Sequence, residues 1–262
     1  MASVNTNRFQ DFFENEKYVT LKNHLYNYLL RKRAVERAMR DEKKELVLET
    51  GSGISPVLTS WEDVVYTDIS ATALEMLKKI HVKGHYIVAD AMNLPFKDQS
   101  FSHVISSEVL EHLKDDRKAL MNIARVTKPN GVLIVTFPHR HFYFSHDDRF
   151  VEHYRRYEIS KIISLLKEAG FYPVYIRKVL GPLEKITMLL VTGCASIFQE
   201  FTRKKRAKET QLQLNSIAGL FKWCNRLYAV FAWIDALIMP RALSTVLLIK
   251  AKKEGVSHTS FR

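Results

Sequence analysis

From residue 45 onward, short apolar runs rich in valine and isoleucine alternate with stretches of helical periodicity. Three of these stretches are predicted as helices, at 70–80, 114–127 and 158–170, with Ser70 as the N-cap of the first. Strands that alternate with helices indicate an α/β fold with a mostly parallel sheet. The predicted strands are 45–50, 64–68, 85–90, 102–107, 131–137, 171–179 and 244–253.

The same pattern divides the chain into four segments. Residues 1–44 are predicted to be a helical N-terminal segment, and residues 45–181 hold most of the sheet. Residues 182–243 are predicted to be a helical insertion, because a connection between two strands usually needs far fewer residues. Residues 244–262 supply the last strand of the core and a C-terminal tail.

The insertion contains two apolar stretches, 186–198 and 227–239. Each is shorter than the ~20 residues that span a bilayer. A basic cluster separates them, made of Arg203, Lys204, Lys205, Arg206 and Lys208. Two interpretations stay open: a helical lid over a substrate pocket, or a helix that lies on an anionic membrane surface.

Composition narrows the class of protein. Of the 262 residues, 47% are hydrophobic and 26% are charged, which excludes a disordered or fibrous chain. The net charge of +12 favours an anionic partner, which could be nucleic acid, acidic lipid or a phosphorylated substrate. The two cysteines lack a disulfide framework and the N-terminus lacks the apolar core of a signal peptide. We therefore expect a cytoplasmic protein, peripheral to the membrane if the insertion is a surface helix.

The most informative segment is VLETGSGISP, residues 47–56. Gly51 and Gly53 would let the backbone turn tightly and approach a ligand, and Ser55-Pro56 is predicted to start a helix. A G-x-G-x-x-G dinucleotide fingerprint would need glycine where Pro56 stands. No Gly-Lys-Ser/Thr follows either, so a phosphate-binding P-loop is excluded.

Three acids follow successive predicted strands: Glu49 before the glycine pair, Asp68 at the end of the second strand and Asp90 at the end of the third. This pattern resembles the class I S-adenosylmethionine-dependent methyltransferases over residues 45–181. The strings LPFKDQSFSHVISSEVLEHLKD and RVTKPNGVLIVTFP resemble the methyltransferase type 11 group in particular. The resemblance implies a Rossmann-like fold, a seven-stranded sheet with helices on both faces, and a methyltransferase that uses S-adenosylmethionine.

The resemblance also implies roles for individual residues. Asp68 would bind the ribose hydroxyls and Asp90 the adenine amino group. The loop would hold the methionine end of the cofactor, and the end of the fourth strand would close the pocket beside the sulfonium. The implied cofactor residues are Glu49, Gly51, Gly53, Asp68, Asp90, Ala91, Ser107 and Glu108.

Residues 138–157 are the candidate acceptor site, since histidine, aspartate and arginine are dense there. His153 is predicted as a general base, and Arg155 or Arg156 as a clamp for an anion. His112 and His139 are the other candidate substrate residues. The alternative is an exposed polar loop whose arginines cap the next helix. No metal site is predicted, because no spacing such as His-Glu-x-x-His occurs.

The leading hypothesis is an S-adenosylmethionine-dependent methyltransferase that acts on O or N of a lipid, isoprenoid or glycan-type intermediate at the inner membrane face. The net charge also allows an RNA methyltransferase, but the aromatic residues cluster with aliphatic residues instead of with the basic run. A third hypothesis is a non-catalytic, methyltransferase-like membrane-binding protein. The intact acids Glu49, Asp68 and Asp90 argue against it.

Overall fold

A computed structural model describes residues 22–81, 83–188 and 211–255. Its centre is one seven-stranded sheet in the order β3-β2-β1-β4-β5-β7-β6. The strands are β1 (Val47–Thr50), β2 (Val64–Asp68), β3 (His85–Val88), β4 (Phe101–Ser107), β5 (Thr127–Pro138), β6 (Phe171–Leu180) and β7 (Val246–Lys253). Neighbours from β3 to β5 pair in parallel, and β7 runs antiparallel to both β5 and β6. The predicted α/β class with a mostly parallel sheet is confirmed.

Helices cover both faces of the sheet. The described helices are α1 (Tyr26–Met39), α2 (Ala71–Ile80), α3 (Asp116–Val126), α4 (His146–Phe150), α5 (Ile159–Glu168) and α6 (Gln211–Ile238). Short 3₁₀ turns lie at Leu110–His112, His141–Tyr143 and Arg241–Leu243, and residues 183–188 are also helical. The predicted cap of α2 is confirmed, because the Ser70 hydroxyl accepts a hydrogen bond from the Ala73 amide at 3.1 Å.

Alternate residues of each central strand enter two separate cores. Leu48 and Val104 pack with Leu120 of α3 and Leu165 of α5 on one face. Their chain neighbours Val47 and Ile105 join a second core on the other face with residues of α1, α2 and α6. Each fully buried aliphatic side chain contributes roughly 1.5–3 kcal/mol by leaving water, so both layers fix the sheet in place.

The helix predicted to start at Ser55-Pro56 does not form, and residues 51–63 cross from β1 to β2 without regular structure. The amides of Val57 and Leu58, which a first helical turn would leave free, donate instead to the carboxylate of Glu49. The segment is still well anchored, because Leu58 is fully buried. The predicted helix start is therefore wrong, and the buried Glu49 side chain holds this irregular segment by its amides.

The second apolar stretch of the insertion, 227–239, belongs to α6, which packs against α1 and β6. Ala232 and Ala236 are its buried contacts, and their small side chains let the helix approach closely. Most of the first stretch, 186–198, and the whole basic cluster at 203–208 lie outside the described residues. Within the described part of the chain, no helix is both long and apolar enough to cross a membrane.

Candidate active site

The three predicted acids lie at or near the carboxyl ends of three strands that are neighbours in the sheet. Glu49 lies in β1, Asp68 ends β2, and Asp90 follows β3 by two residues. Glu108 comes directly after β4, on the other side of β1. Because these strands are parallel, their carboxyl ends share one edge of the sheet, where ligands of open α/β folds bind.

Glu49 organises the loop that follows it. Its two carboxylate oxygens accept hydrogen bonds from the Val57 amide at 2.7 Å and the Leu58 amide at 3.2 Å. The side chain is buried, and this burial raises the pKa of Glu49 to about 7, while the two backbone hydrogen bonds oppose the shift. Since both oxygens already serve the loop, we expect Glu49 to support a cofactor indirectly by shaping its cradle.

The two glycines take the backbone conformations predicted for them. Gly51 has φ +63° and Gly53 has φ +51°, in the left-handed region that side chains disfavour. A Cβ added at Gly51 would lie 2.5 Å from Cγ2 of Val109, so this glycine also lets the loop pack against the segment after β4. The loop therefore depends on Gly51 for both its turn and its contact with the neighbouring strand end.

Asp68 joins the loop to β2. One oxygen accepts from the Gly53 amide at 2.8 Å, and the other accepts from the Ser70 amide at 2.9 Å. Burial raises the pKa of Asp68, while the hydrogen bonds from Ser70 and Gly53 and the charge of Lys22 oppose that shift. Each carboxylate oxygen has a second lone pair, so Asp68 can still accept from the vicinal hydroxyls of a ribose.

The third strand end is more open. One oxygen of Asp90 accepts from the Met92 amide at 2.8 Å, and its carbonyl accepts from the Asn93 amide. Asp90 and Ala91 are both half-buried, as expected of residues that contact an adenine at the rim of the cleft. This geometry is compatible with the roles that the sequence predicts for the pair.

The end of β4 carries the residues predicted to lie beside the sulfonium. The Ser107 and Thr136 hydroxyls are 2.8 Å apart, and the Thr136 hydroxyl also donates to Glu108 at 3.2 Å. Glu108 has φ +55° and pairs with Arg31 of α1 at 3.6 Å. The sequence analysis missed Arg31, because the basic run of α1 has the composition of a solvated helix face.

Two hydroxyls of the glycine loop indicate that a polar ligand fits here. Ser52 and Ser55 are buried, and their Oγ atoms have no hydrogen-bond partner. Unpaired buried hydroxyls cost free energy unless a ligand or water satisfies them. The methionine end of S-adenosylmethionine carries an ammonium and a carboxylate, which could use such groups. The donors and acceptors present therefore fit this cofactor.

In the segment predicted to bind the acceptor, residues 138–157, Asp148 of α4 is the centre of a buried hydrogen-bond network. Its carboxylate accepts from His153 Nδ1 at 2.8 Å, from Arg156 Nε at 2.8 Å and from Lys185 Nζ at 3.3 Å. Burial alone would raise the pKa of Asp148, but the hydrogen bonds from His153 and Arg156 lower it far below its usual range. The sequence analysis missed this role, although Ser145 and Asp148 form a capping box that is visible in the sequence.

Two predicted substrate residues, His139 and Arg156, make buried contacts within the protein. His139 is buried, and its Nδ1 contacts the Ser244 carbonyl at 2.9 Å. The Arg156 guanidinium is buried too, between Asp148 and the carbonyls of His139 and Thr245. These contacts give His139 and Arg156 structural roles, and their predicted contact with an acceptor stays a prediction.

Arg155 makes two contacts within the protein and is partly exposed. It pairs with Asp116 at 2.8 Å and donates to the Lys114 carbonyl at 2.9 Å, with 30% of its side chain exposed. These contacts tie the segment after α4 to the start of α3. An anion would have to compete with Asp116 for this guanidinium, so the structure gives Arg155 a structural role first.

His112 lies beside His153, with ring centroids 4.6 Å apart. Burial lowers the pKa of His112 to about 3, and the charges of His153, Lys22 and Arg31 add to this effect. His112 is therefore a neutral imidazole at physiological pH. The structure thus brings His112 and His153 together, whereas His139 contacts Ser244 and Thr245, just before β7.

Comparison with known proteins identifies the kind of domain. Residues 48–135 match the profile of a family described as "Methyltransferase domain". An uncharacterized protein of Methanocaldococcus jannaschii is 39% identical over 101 residues, which cover 38% of this chain and 43% of that protein. Demethylmenaquinone methyltransferase of Paenarthrobacter aurescens is 38% identical over 91 residues, covering 35% of this chain and 36% of that one. The chain thus spans less than half the length of these curated relatives.

Among solved structures, a Thermotoga maritima protein described as an S-adenosylmethionine-dependent methyltransferase superposes with a TM-score of 0.60. The match covers 95% of this chain and all of that one at 16% identity, so it shows the fold. The described residues thus have the Rossmann-like fold of class I methyltransferases, with acidic residues at the carboxyl ends of its parallel strands. Within this fold, residues 48–135 match the methyltransferase domain of the type 11 group.

Glu49→Gln tests the pKa of Glu49. The folded protein holds this proton up to about pH 7, whereas an unfolded glutamate loses it near pH 4.5. Stability from Glu49 is therefore complete below the unfolded pKa and is lost as pH rises through the folded pKa. Relative to the variant, the wild-type free energy of unfolding should fall by on the order of 3 kcal/mol over this interval.

Urea unfolding followed by tryptophan fluorescence at a series of pH values measures this difference. Glu75→Gln, at an exposed position of α2, is the control and should stay parallel to the wild type. A pH-independent difference between the wild type and Glu49→Gln would contradict the raised pKa.

Proposed function

We propose that this protein is an S-adenosylmethionine-dependent methyltransferase that methylates O or N of a lipid, isoprenoid or glycan-type intermediate. The observation that carries the proposal is the edge of the sheet where Glu49, Asp68 and Asp90 follow adjacent strands. The cofactor supplies an electrophilic methyl group on a sulfonium. The protein's own task is to hold the adenosine, align the acceptor with the methyl group and exclude water.

The geometry of His153 supports the acceptor half of this proposal. Its Nδ1 donates to Asp148, so the Nε2 lone pair is free to take a proton from an acceptor hydroxyl. Only 11% of the side chain is exposed. Asp148 has no freedom to turn away, because Arg156 and Lys185 also bind it. An imidazole oriented in this way meets the geometric requirement for a general base.

Carbon methylation of a quinone is the second candidate. It is favoured by relatives named demethylmenaquinone methyltransferase, which resemble the cofactor half of this chain. The family match ends at residue 135, before His153 and α6. The similarity therefore supports the use of the cofactor more strongly than the choice of a quinone acceptor.

An amphipathic acceptor and a peripheral position at the cytoplasmic face of the membrane are supported by α6. One side of this helix carries an exposed apolar stripe at helical spacing, made of Leu220, Trp223, Leu227, Phe231, Ile234 and Ile238. A groove of about 350 Å³ between α1 and α6 carries Arg33 and Arg226 near Trp233. Apolar side chains beside arginines suit the boundary between acyl chains and anionic headgroups.

Asp68→Asn should weaken the binding of S-adenosylmethionine. The new amide group would face the Gly53 or Ser70 amide and would remove an acceptor for the ribose. Loss of a charged hydrogen bond costs about 1.5–3 kcal/mol, so the Kd should rise roughly 10- to 100-fold. Calorimetric titration of both proteins measures this change. Asp63→Asn, at an exposed loop position, is the matched control, and equal binding by all three proteins would remove the cofactor assignment.

Transfer of a labelled methyl group tests the acceptor. Tritium-labelled methyl donor should label a component of a membrane lipid extract, and His153→Gln should slow the labelling by about 10²–10⁴ if His153 is the base. Binding of the methyl donor should not change, because His153 lies on the acceptor side. His85→Gln, at an exposed position of β3, is the control. Label in demethylmenaquinol would favour the second candidate, label in RNA would replace the proposal, and no label in any arm would contradict it.

The double change Trp223→Ser with Phe231→Ser tests the membrane surface. Both side chains are more than half exposed, so the fold should survive while the apolar contact with lipid is lost. Co-sedimentation with vesicles of anionic phospholipid should fall about tenfold or more. Met121→Ser removes an exposed apolar side chain from α3, on the other side of the sheet, and should change nothing. Equal sedimentation of all three proteins would mean that α6 does not bind membranes.

A further inference from the structure

Two segments from different parts of the chain meet beside the cofactor edge. The 3₁₀ turn Leu110–His112 follows β4, and residues 151–157 follow α4. The Tyr154 amide donates to the Glu111 carbonyl at 2.8 Å, which holds the segments together. This contact brings the side chains of Glu111, His112 and His153 into one cluster.

The carboxyl group of Glu111 is the unusual member of the cluster. Glu111 is fully buried, yet neither carboxyl oxygen has a hydrogen-bond partner. Burial of an unpaired carboxyl group lowers the stability of a protein by several kcal/mol. Replacement of Glu111 would break no hydrogen bond of its carboxyl group. The second carboxylate nearby, Glu108, is balanced by Arg31. The missing partner of Glu111 is therefore best explained by a cation.

Both imidazoles have a ring nitrogen available to a ligand near Glu111. Nδ1 of His112 is buried and has no hydrogen-bond partner. His153 gives its Nδ1 proton to Asp148, and its Nε2 lies 3.9 Å from an oxygen of Glu111.

One carboxylate oxygen and two imidazole nitrogens are a common ligand set for divalent metals. The ligand atoms of Glu111, His112 and His153 all lie within 4.8 Å of one another. Ligands around a tetrahedral zinc ion are about 3.3 Å apart, so small side-chain rotations would close the set. Asp148 adds the carboxylate that usually orients a metal-binding histidine from behind.

We propose that Glu111, His112 and His153 bind one first-row divalent metal ion, of the type of Zn²⁺, Mn²⁺ or Co²⁺. Nitrogen ligands favour these ions over Mg²⁺ and Ca²⁺, which prefer oxygen. The sequence analysis predicted no metal, because the ligands are two adjacent residues and a third residue 41 positions later. Only the fold brings them together.

The location gives the ion a role that rests on the proposed function. Glu111 follows Glu108 by three residues, so the ion would lie near the end of β4, where the methyl group is expected. Three protein ligands leave coordination positions for acceptor oxygens, and a divalent ion makes a bound hydroxyl more acidic. In the metal-loaded protein His153 would act as a ligand, and the ion would replace it in activating the acceptor.

Titration of chelator-treated full-length protein with Co²⁺ tests the site without any activity assay. Tetrahedral or five-coordinate Co²⁺ gives visible d–d absorption, which should saturate at one ion per chain and disappear when Zn²⁺ displaces it. Glu111→Gln and His112→Gln should weaken binding at least tenfold, and Asp148→Asn about 10- to 100-fold through the orientation of His153. His85→Gln is the control and should bind as the wild type does.

Three outcomes would overturn the metal site: no absorption, absorption retained in Glu111→Gln, or equal loss in His85→Gln. X-ray absorption of the Zn²⁺-loaded wild type decides the ligands even if a variant fails to fold, and it should show two imidazoles with oxygen. Calorimetry with S-adenosylmethionine on the same metal-free protein separates the two proposals. Cofactor binding without metal binding removes only the metal site, and metal binding without cofactor binding removes only the methyltransferase assignment.

Discussion

The active-site edge depends on buried carboxylates that hold the backbone of an irregular loop. Residues 51–63 have no helix or strand to satisfy their amides, and Glu49 and Asp68 accept three of them. A carboxylate is suited to this task because it offers several lone pairs and no competing donor. The acids therefore build the cradle before they bind anything. A change in either acid should alter the loop shape and the ligand affinity together.

Another buried carboxylate, Asp148, holds together the segment that is predicted to bind the acceptor. It accepts hydrogen bonds from His153 and Arg156 of one segment and from Lys185, about 30 residues later in the chain. Arg156 extends this network to the backbone of Thr245, just before β7. The orientation of His153 is thus fixed by contacts that reach the far end of the sequence. Lys185 also pairs with Asp147 at 2.6 Å, so the two cations of this network face two carboxylates.

Local sequence signals predicted the parts of the fold that local interactions determine. The Ser70 cap and the strand ends that carry Asp68 and Asp90 follow from short-range patterns, and the structure places them as expected. The predicted helix at Ser55-Pro56 is absent, and Glu49 holds the amides of this irregular segment instead. Neighbouring residues could not show this contact, because Glu49 reaches Val57 and Leu58 only when the loop folds back onto β1.

The acceptor residues show the same limit more clearly. The segment 138–157 is rich in residues that could bind a ligand, and composition cannot tell which of them face the cleft. His139 and Arg156 contact residues about 90 to 105 positions away, so their structural roles are set by tertiary contacts. In the described structure, burial divides one polar segment into two groups: residues that support the fold and residues such as His153 that remain available for chemistry.

The family match ends before the segment that contains His153. The match ends at residue 135, so it contains the cofactor edge and omits His153, Lys185 and α6. Glu111 and His112 lie inside the matched part, but the partner that completes their cluster lies outside it. The cluster therefore joins the segment that matches the family to a segment outside that match. An acceptor selected by the second segment must reach the methyl group across this junction, which is why its three side chains are the most informative ones to change.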